Sequence, residues 1–126
     1  MGKPKLASDV IKVSERELKQ TCEEFLSALQ NMSQLIFLRL NSGDIIIGEA
    51  EARRRVRCCP PGTSDNIVII PNPSRVIFVE YKSKKGKQSR EQKAFENTVV
   101  GQKHDYWLVS DFDPFKEAIA EILRRR

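Results

Sequence analysis

Three ionisable residues lie close together in the middle of the chain, around two short apolar runs. Asp65 precedes the first run (residues 66–70), and Glu80 and Lys82 come at the end of the second run (residues 75–81). The turn-forming sequence PNPS joins the runs, so we expect an antiparallel hairpin. Such a hairpin places Asp65 beside Glu80, and two adjacent carboxylates repel each other unless a cation lies between them. Hard oxygen ligands of this kind suit Mg²⁺ or Mn²⁺.

A divalent cation at that position would suit the hydrolysis of a phosphodiester bond. It would polarise the phosphate and lower the pKa of a water molecule that attacks in line. Lys82 shares a strand face with Glu80, because side chains alternate along a strand. Its ammonium group would orient that water or offset charge on the transition state. The alternative for Glu80 and Lys82 is an ion pair at the surface end of a strand, and the spacing alone leaves both interpretations open.

The first element that must position this group is a helix predicted from Ile11 to about Gln30, where apolar residues recur at helical spacing. Ser14 is suited to cap it, with Glu17 three residues further on. Glu15 falls on the same side of the helix as the apolar stripe. A carboxylate facing a core is costly without a cation or a metal as partner. We therefore expect Glu15 to bind the metal or to support its ligands.

The remaining elements predict an α/β domain with a mixed sheet and helices packed on it. The predicted order is helix, strand, inserted arm, hairpin, helix, strand, helix. We expect residues 1–10 to be a flexible N-terminal arm and residues 11–126 to form one domain. The predicted elements after the first helix are a buried strand at 35–40, an arm at 44–60, the hairpin, a helix from about Ser89 to a stop at Gly101, a strand at 106–110 and a final helix.

The basic residues are concentrated in two short segments of the chain. The chain has 126 residues with 22 Lys and Arg against 17 Asp and Glu, a formal net charge of +5. Residues 53–57 and 82–90 together hold nine basic residues and no acidic one, so the rest of the chain is net acidic. This distribution indicates a protein that binds a polyanion along one surface, or else two solvated basic loops.

Composition also excludes several classes of protein. No run approaches 18 apolar residues, and the N-terminus lacks the apolar block of a secretory signal, so we expect a cytoplasmic protein without a membrane span. The cysteines are Cys22, Cys58 and Cys59. Their odd number and spacing predict neither a disulfide framework nor a zinc site.

Five motifs, in order along the chain, resemble the VRR-NUC domain of the PD-(D/E)xK nuclease superfamily. They are RLNSG at 39–43 followed by the Arg-rich arm, PGTSD at 61–65, FVEYK at 78–82, a Gly within a basic loop, and SREQ at 89–92. The resemblance extends from about Glu15 to Ser110. It departs from the superfamily pattern at Ser64, where a Pro is usual, and this leaves Asp65 in place.

The resemblance implies a restriction-endonuclease-like core and a role for each matching residue. Asp65 and Glu80 resemble the metal ligands, with the backbone carbonyl of Tyr81 as a third oxygen, and Lys82 resembles the catalytic lysine. Glu15 resembles the acidic residue of the family's first helix, although Glu17 is close to it. Gln92 matches a Gln at the active-site edge of the family, but Ser89 and Gln92 also form a capping-box sequence.

Basic residues around these motifs are candidates for contacts with DNA. The loop after the second hairpin strand would hold the DNA backbone beside the cut, without reading sequence. Arg39 would contact phosphate or pair with a carboxylate, and the arm would bind DNA or mediate dimerisation. The candidates are Arg39, Arg53, Arg54, Arg55, Arg57, Lys84, Lys85, Lys87 and Arg90.

The function implied by the resemblance is that of a Mg²⁺- or Mn²⁺-dependent endodeoxyribonuclease of the stand-alone phage or bacterial type. Stand-alone members resemble junction-resolving enzymes, which implies a homodimer acting on branched DNA such as a Holliday junction in the cytoplasm of a bacterium or a phage-infected host. Two alternatives remain open: a nuclease that trims flaps or ends by the same chemistry, and a non-catalytic nucleic-acid-binding module.

Overall fold

The structure, a computed structural model, describes residues 14–125, apart from the side chains of residues 44 and 45. The predicted arm at 1–10, Ile11 and residue 126 lie outside the described residues. Helices in the described part are α1 (Glu15–Asn31), α2 (Arg90–Gly101) and α3 (Phe112–Arg125), with a 3-10 turn at Ala50–Ala52. The strands are β1 (Ile36–Arg39), β2 (Asp44–Ile47), β3 (Arg54–Arg57), β4 (Asn66–Ile70), β5 (Arg75–Tyr81) and β6 (Asp105–Val109).

A four-stranded mixed sheet in the order β1-β4-β5-β6 forms the centre of the fold. β1 pairs with β4 and β4 with β5 in antiparallel fashion, whereas β5 and β6 are parallel. The parallel pair needs a crossover connection, and α2 provides it. The predicted α/β class with a mixed central sheet flanked by helices is confirmed, and so is the predicted hairpin.

Alternation along the strands divides the sheet into two faces. Tyr81 packs edge-on against Phe115 of α3, and Phe25 of α1 also contacts Phe115, so α1 and α3 cover one face. On the other face Phe78 contacts Phe95 of α2. The main core lies under α1 and α3. It includes Leu18, Cys22, Leu26, Val68, Ile70, Ile77, Val79 and Ile119.

The predicted arm is confirmed as a separate antiparallel ribbon of β2 and β3. The strand predicted at 35–40 is present as β1, but it is not a buried strand as predicted. β1 is an edge strand of the sheet, and of its four residues only Phe37 is buried. Ile36 and Leu38 on its other face are about half exposed, at 54% and 52%.

Local hydrogen bonds determine where α1 begins and where α2 ends. Ser14 is the N-cap of α1, its side chain accepting from the backbone N–H of Glu17, so α1 begins at Glu15. Gly101 does not stop α2 but is its last residue. The chain turns instead at Lys103, which has a φ of 69° and donates its backbone N–H to the carbonyl of Val100.

The three cysteines are free thiols. Burial raises the pKa of Cys22 to about 12, and Glu23 adds to this effect. Within residues 14–125, no helix has the length and apolar character needed to cross a membrane.

Candidate active site

The ends of β4 and β5 bring Asp65 and Glu80 together. Asn66 pairs with Val79 in the hairpin register, so the next pair outward is Asp65 with Glu80. Oδ2 of Asp65 accepts the backbone N–H of Tyr81 at 2.8 Å. Glu80 is only 3% exposed. The alternative of a surface ion pair is therefore wrong for Glu80, because its carboxyl is buried beside a second carboxyl.

Burial and the neighbouring acid make Glu80 hard to ionise. Its pKa is raised to about 9, first by desolvation and then by a hydrogen bond to the Asp65 carboxyl and by the charge of that carboxyl. Lys82 lowers the pKa and Glu15 raises it further. Without a metal, the carboxyl of Glu80 therefore retains its proton at neutral pH, and a cation would be needed to ionise it.

Lys19 contacts Asp65 but is not identified by the sequence motifs. Its Nζ lies 3.4 Å from Oδ1 of Asp65, and its side chain is 37% exposed. Lys19 follows Glu15 by one helical turn and therefore projects from the same side of α1. That spacing is the signal in the sequence that points to it.

Glu15 does not face the core. It is exposed in the first turn of α1, whereas the carboxylate of α1 that is buried is Glu23, at 6% exposure. The helical wheel gives an angle around the axis but not a position along it, and Glu15 lies where the helix begins. Glu15 nevertheless lies close enough to Glu80 to raise its pKa.

The side chain of Gln92 completes a capping box and also contacts Glu80. Its Oε1 accepts the backbone N–H of Ser89 at 2.8 Å, while the side chain of Ser89 accepts the backbone N–H of Gln92, which completes a capping box. Its Nε2 donates to Oε1 of Glu80 at 3.4 Å. The start of α2 therefore holds Gln92 against the acidic pair.

The donor set fits a small, hard divalent cation only in part. Asp65 and Glu80 offer adjacent carboxylate oxygens, the chemistry that Mg²⁺ and Mn²⁺ prefer. Among the described residues, no group of three or more His, Cys, Asp or Glu side chains is arranged to hold a metal. A cation here would have to complete its coordination with water, substrate oxygens and backbone carbonyls, which is usual for Mg²⁺.

The basic candidates lie at several places around the fold. Lys84 pairs with Asp111 at 3.4 Å. Lys84 is exposed, and so are the other candidates: Lys85 and Lys87 in the same loop, Arg90 at the start of α2, and Arg53, Arg54, Arg55 and Arg57 in the arm. All the loop residues follow directly from β5, whose end carries Glu80.

Arg39 pairs with a carboxylate, the second of its two predicted interpretations. Its Nε lies 3.3 Å from Oε1 of Glu23, and its own side chain is 67% exposed. Glu23 is a residue that the motifs do not identify. Because the guanidinium group is mostly exposed, a contact with phosphate remains geometrically open to Arg39.

In comparisons with known proteins, no family model, no curated protein and no solved structure matches this chain. The class that the fold and the site define is a mixed α/β protein with a buried carboxylate pair at the end of a central hairpin. The resemblance to the VRR-NUC domain depends on the sequence motifs alone.

Proposed function

We propose that this protein is a metal-dependent endodeoxyribonuclease of the VRR-NUC type, with a restriction-endonuclease-like core. One observation carries the proposal: Asp65 and Glu80 meet at the paired strand ends, and Glu80 is buried against a second carboxyl with a raised pKa. Such a pair costs free energy in a metal-free protein, because burial disfavours its charged form. A role in holding a cation accounts for that cost.

Asp65 and Glu80 are the residues that would hold Mg²⁺ or Mn²⁺, together with the carbonyl of Tyr81 and, through water, Glu15. When bound, the cation would polarise the scissile phosphodiester and activate a water molecule. The raised pKa of Glu80 supports this assignment: within residues 14–125, Lys82 lowers that pKa and Lys19 pairs with Asp65, yet the pKa remains high.

The other residues of the site would bind and orient the substrate. The ammonium group of Lys82 would offset the charge that accumulates on the phosphate during attack. Gln92 would hold the carboxyl of Glu80 in one orientation, through the hydrogen bond it donates. The exposed loop lysines, Lys85 and Lys87, would hold the DNA backbone next to the scissile bond.

We further propose that the substrate is branched DNA, such as a four-way junction, and that the active form is a homodimer. The family resemblance supports both points. Phosphate contacts from Lys and Arg carry no sequence information, so selectivity would come from the shape of the DNA. Two copies of the site would then cut two strands.

A panel of DNA substrates tests the proposal directly. Four-way, flap, nicked and linear DNAs are incubated with the protein in Mg²⁺ or Mn²⁺ and compared with the Asp65→Ala variant. Asp105→Ala is the matched control, because Asp105 is a partly exposed carboxylate at the start of β6 that pairs with Arg75. We expect metal-dependent cleavage of the four-way substrate that Asp65→Ala abolishes and Asp105→Ala retains.

The non-catalytic binding module is the second candidate, favoured by the lack of a three-residue metal cluster within residues 14–125. It predicts binding of the same DNAs with no metal-dependent cleavage of any of them. Preferential cleavage of flaps or ends would instead show a trimming nuclease. Strictly monomeric protein on junction DNA would contradict the dimer.

A further inference from the structure

Three polar residues lie in the core directly behind the candidate site. Asn66 and Tyr81 have no exposed surface, and Glu23 is 6% exposed. They lie on the face of the sheet that α1 and α3 cover, opposite the face of Glu80. Burying such groups is costly unless each is hydrogen-bonded. The same core holds apolar side chains, among them Cys22, Leu26, Val68 and Val79.

The three side chains form one continuous set of hydrogen bonds. Tyr81 donates its hydroxyl to Oδ1 of Asn66 at 2.6 Å, and Nδ2 of Asn66 donates to Oε2 of Glu23 at 2.7 Å. The same Nδ2 donates to the backbone carbonyl of Asp65 at 2.9 Å. The phenol of Tyr81 donates, the amide of Asn66 both accepts and donates, and the carboxylate of Glu23 accepts. Each donor in the set therefore meets an acceptor.

The position of this set along the chain points to its role. Asn66 directly follows Asp65, and Tyr81 directly follows Glu80. The bond between Asn66 and Tyr81 therefore joins the two strands one residue away from each carboxylate. A second bond joins the strands at this point, because the backbone N–H of Tyr81 donates to the carboxylate of Asp65.

Packing alone does not require polar residues here. Replacing buried polar groups with apolar ones of similar shape is often neutral or stabilising, so a Phe and a Leu would fill this part of the core as well. A fully satisfied buried network restricts strand register and side-chain orientation. A site that binds a cation needs that restriction, since its ligands must be held within about 0.5 Å of the geometry that binds the cation.

We propose that Glu23, Asn66 and Tyr81 are positioning residues that hold Asp65 and Glu80 at the separation a divalent cation requires. Arg39 completes the set. It lies beside Asn66 on the edge strand and pairs with Oε1 of Glu23, which supplies the counter-charge for that buried carboxylate. This inference rests on the proposed function, because it needs the carboxylate pair to bind a metal.

Tyr81→Phe tests the inference, since it removes one hydroxyl and nothing else. Tyr106→Phe is the matched control, because the hydroxyl of Tyr106 bonds to Gln88, outside the network. Mn²⁺ alone is titrated into each protein, kcat and KM are measured on the preferred DNA, and thermal unfolding is recorded. We expect Tyr81→Phe to weaken Mn²⁺ binding and lower kcat by about tenfold or more, with KM little changed.

A purely structural role would lower the unfolding temperature of Tyr81→Phe and leave the Mn²⁺ affinity and kcat of the folded protein unchanged, and this result would overturn the inference. A second pair of variants keeps the test usable if Tyr81→Phe does not fold. Glu23→Gln retains an acceptor for Asn66 and should stay within about threefold of wild type, whereas Glu23→Leu should bind Mn²⁺ about tenfold more weakly. Equal Mn²⁺ affinity in these two variants would overturn it as well.

The two proposals fail in different ways. Wild-type protein that binds Mn²⁺ but cleaves no DNA contradicts the nuclease, while weaker Mn²⁺ binding by Tyr81→Phe would still support the positioning role. Wild-type protein that cleaves DNA with the same kcat and Mn²⁺ affinity as Tyr81→Phe contradicts only the positioning role.

Discussion

Nε2 of Gln92 donates a hydrogen bond of 3.4 Å to Oε1 of Glu80. The bond connects the first turn of α2 to the end of β5. Because the other end of the same amide closes the capping box with Ser89, the rotamer that caps the helix is also the rotamer that reaches the buried carboxyl. Helix capping and site geometry are therefore coupled through one side chain.

Gln92→Ala and Ser89→Ala should separate these two roles. Both substitutions weaken the capping box, and we expect each to cost about 1 kcal/mol of unfolding free energy. Only Gln92→Ala removes the partner of Glu80, so it alone should reduce cleavage, by about tenfold or more. Chemical denaturation and single-turnover cleavage measure the two effects. An equal loss of cleavage in both variants would mean that Gln92 acts only as a cap.

Glu80→Gln should stabilise the metal-free protein at pH 8 while abolishing metal-dependent cleavage. The pKa of Glu80 is raised from its ordinary value of 4.5 to about 9, mainly by burial. Between these values the unfolded chain has lost a proton that the folded chain retains, so stability falls as pH rises through this window. A Gln cannot ionise and avoids that loss.

Thermal unfolding in EDTA between pH 5 and 9 measures this effect. Wild type should lose several degrees across the window, and Glu80→Gln should show a shallower dependence. The exposed residue Glu117 on α3 provides the matched control, and Glu117→Gln should follow wild type. If Glu80→Gln kept the steep pH dependence of unfolding, an ionisable group other than Glu80 would be its cause.

Much of the hairpin and its site could be predicted from the sequence because the signals there are local. The two apolar runs, the Pro-containing turn and strict alternation determine the register that places Asp65 beside Glu80. The capping role of Gln92 could be predicted in the same way, from its spacing to Ser89. The basic loop follows β5 directly, so its position next to Glu80 required no long-range information.

The parts that sequence reasoning missed depend on how elements pack together. Glu15 had the right angle for burial but lies in the first, exposed turn of α1, while Glu23, further along the helix, is buried. The partners of Glu23 come from β1 and β4, 16 and 43 residues away along the chain. Lys19 reaches Asp65 in the same way, across 46 residues. Local periodicity gives the side of α1 on which a residue such as Lys19 lies, but not the partner that it contacts.

Two lysines near the carboxylates should respond oppositely to removal of their charge. Lys19 lies 3.4 Å from Asp65, where its ammonium group repels an incoming cation. We expect Lys19→Met to bind Mn²⁺ more tightly, by less than about fivefold, because a partly exposed ion pair contributes at most about 1 kcal/mol. Lys82→Met should instead lower cleavage by about a hundredfold, because the ammonium group of Lys82 would offset the negative charge that accumulates on the phosphate. Tighter Mn²⁺ binding together with faster cleavage in Lys82→Met would reverse the two assignments.

The salt dependence of DNA binding should identify which loop lysines contact phosphate. Binding is measured in EDTA, so that no cleavage occurs, at several salt concentrations. Each phosphate contact that is lost lowers the slope of log K against log salt by about 0.9. We expect this change for Lys85→Ala, and a smaller one for Lys84→Ala, because Asp111 lies 3.4 Å from Nζ of Lys84 and already offsets its charge.

Arg75→Ala is the control for this comparison. Arg75 begins β5 and pairs with Asp105, so it lies about 20 Å along the strand from Lys82. Its removal should leave the slope unchanged if DNA binds at the end of the hairpin that carries Glu80. A reduced slope for Arg75→Ala would mean that DNA also contacts the opposite end of the sheet. A reduced slope for Arg75→Ala with none for Lys85→Ala would separate DNA binding from the carboxylate pair altogether, and the candidate site would then lack its substrate.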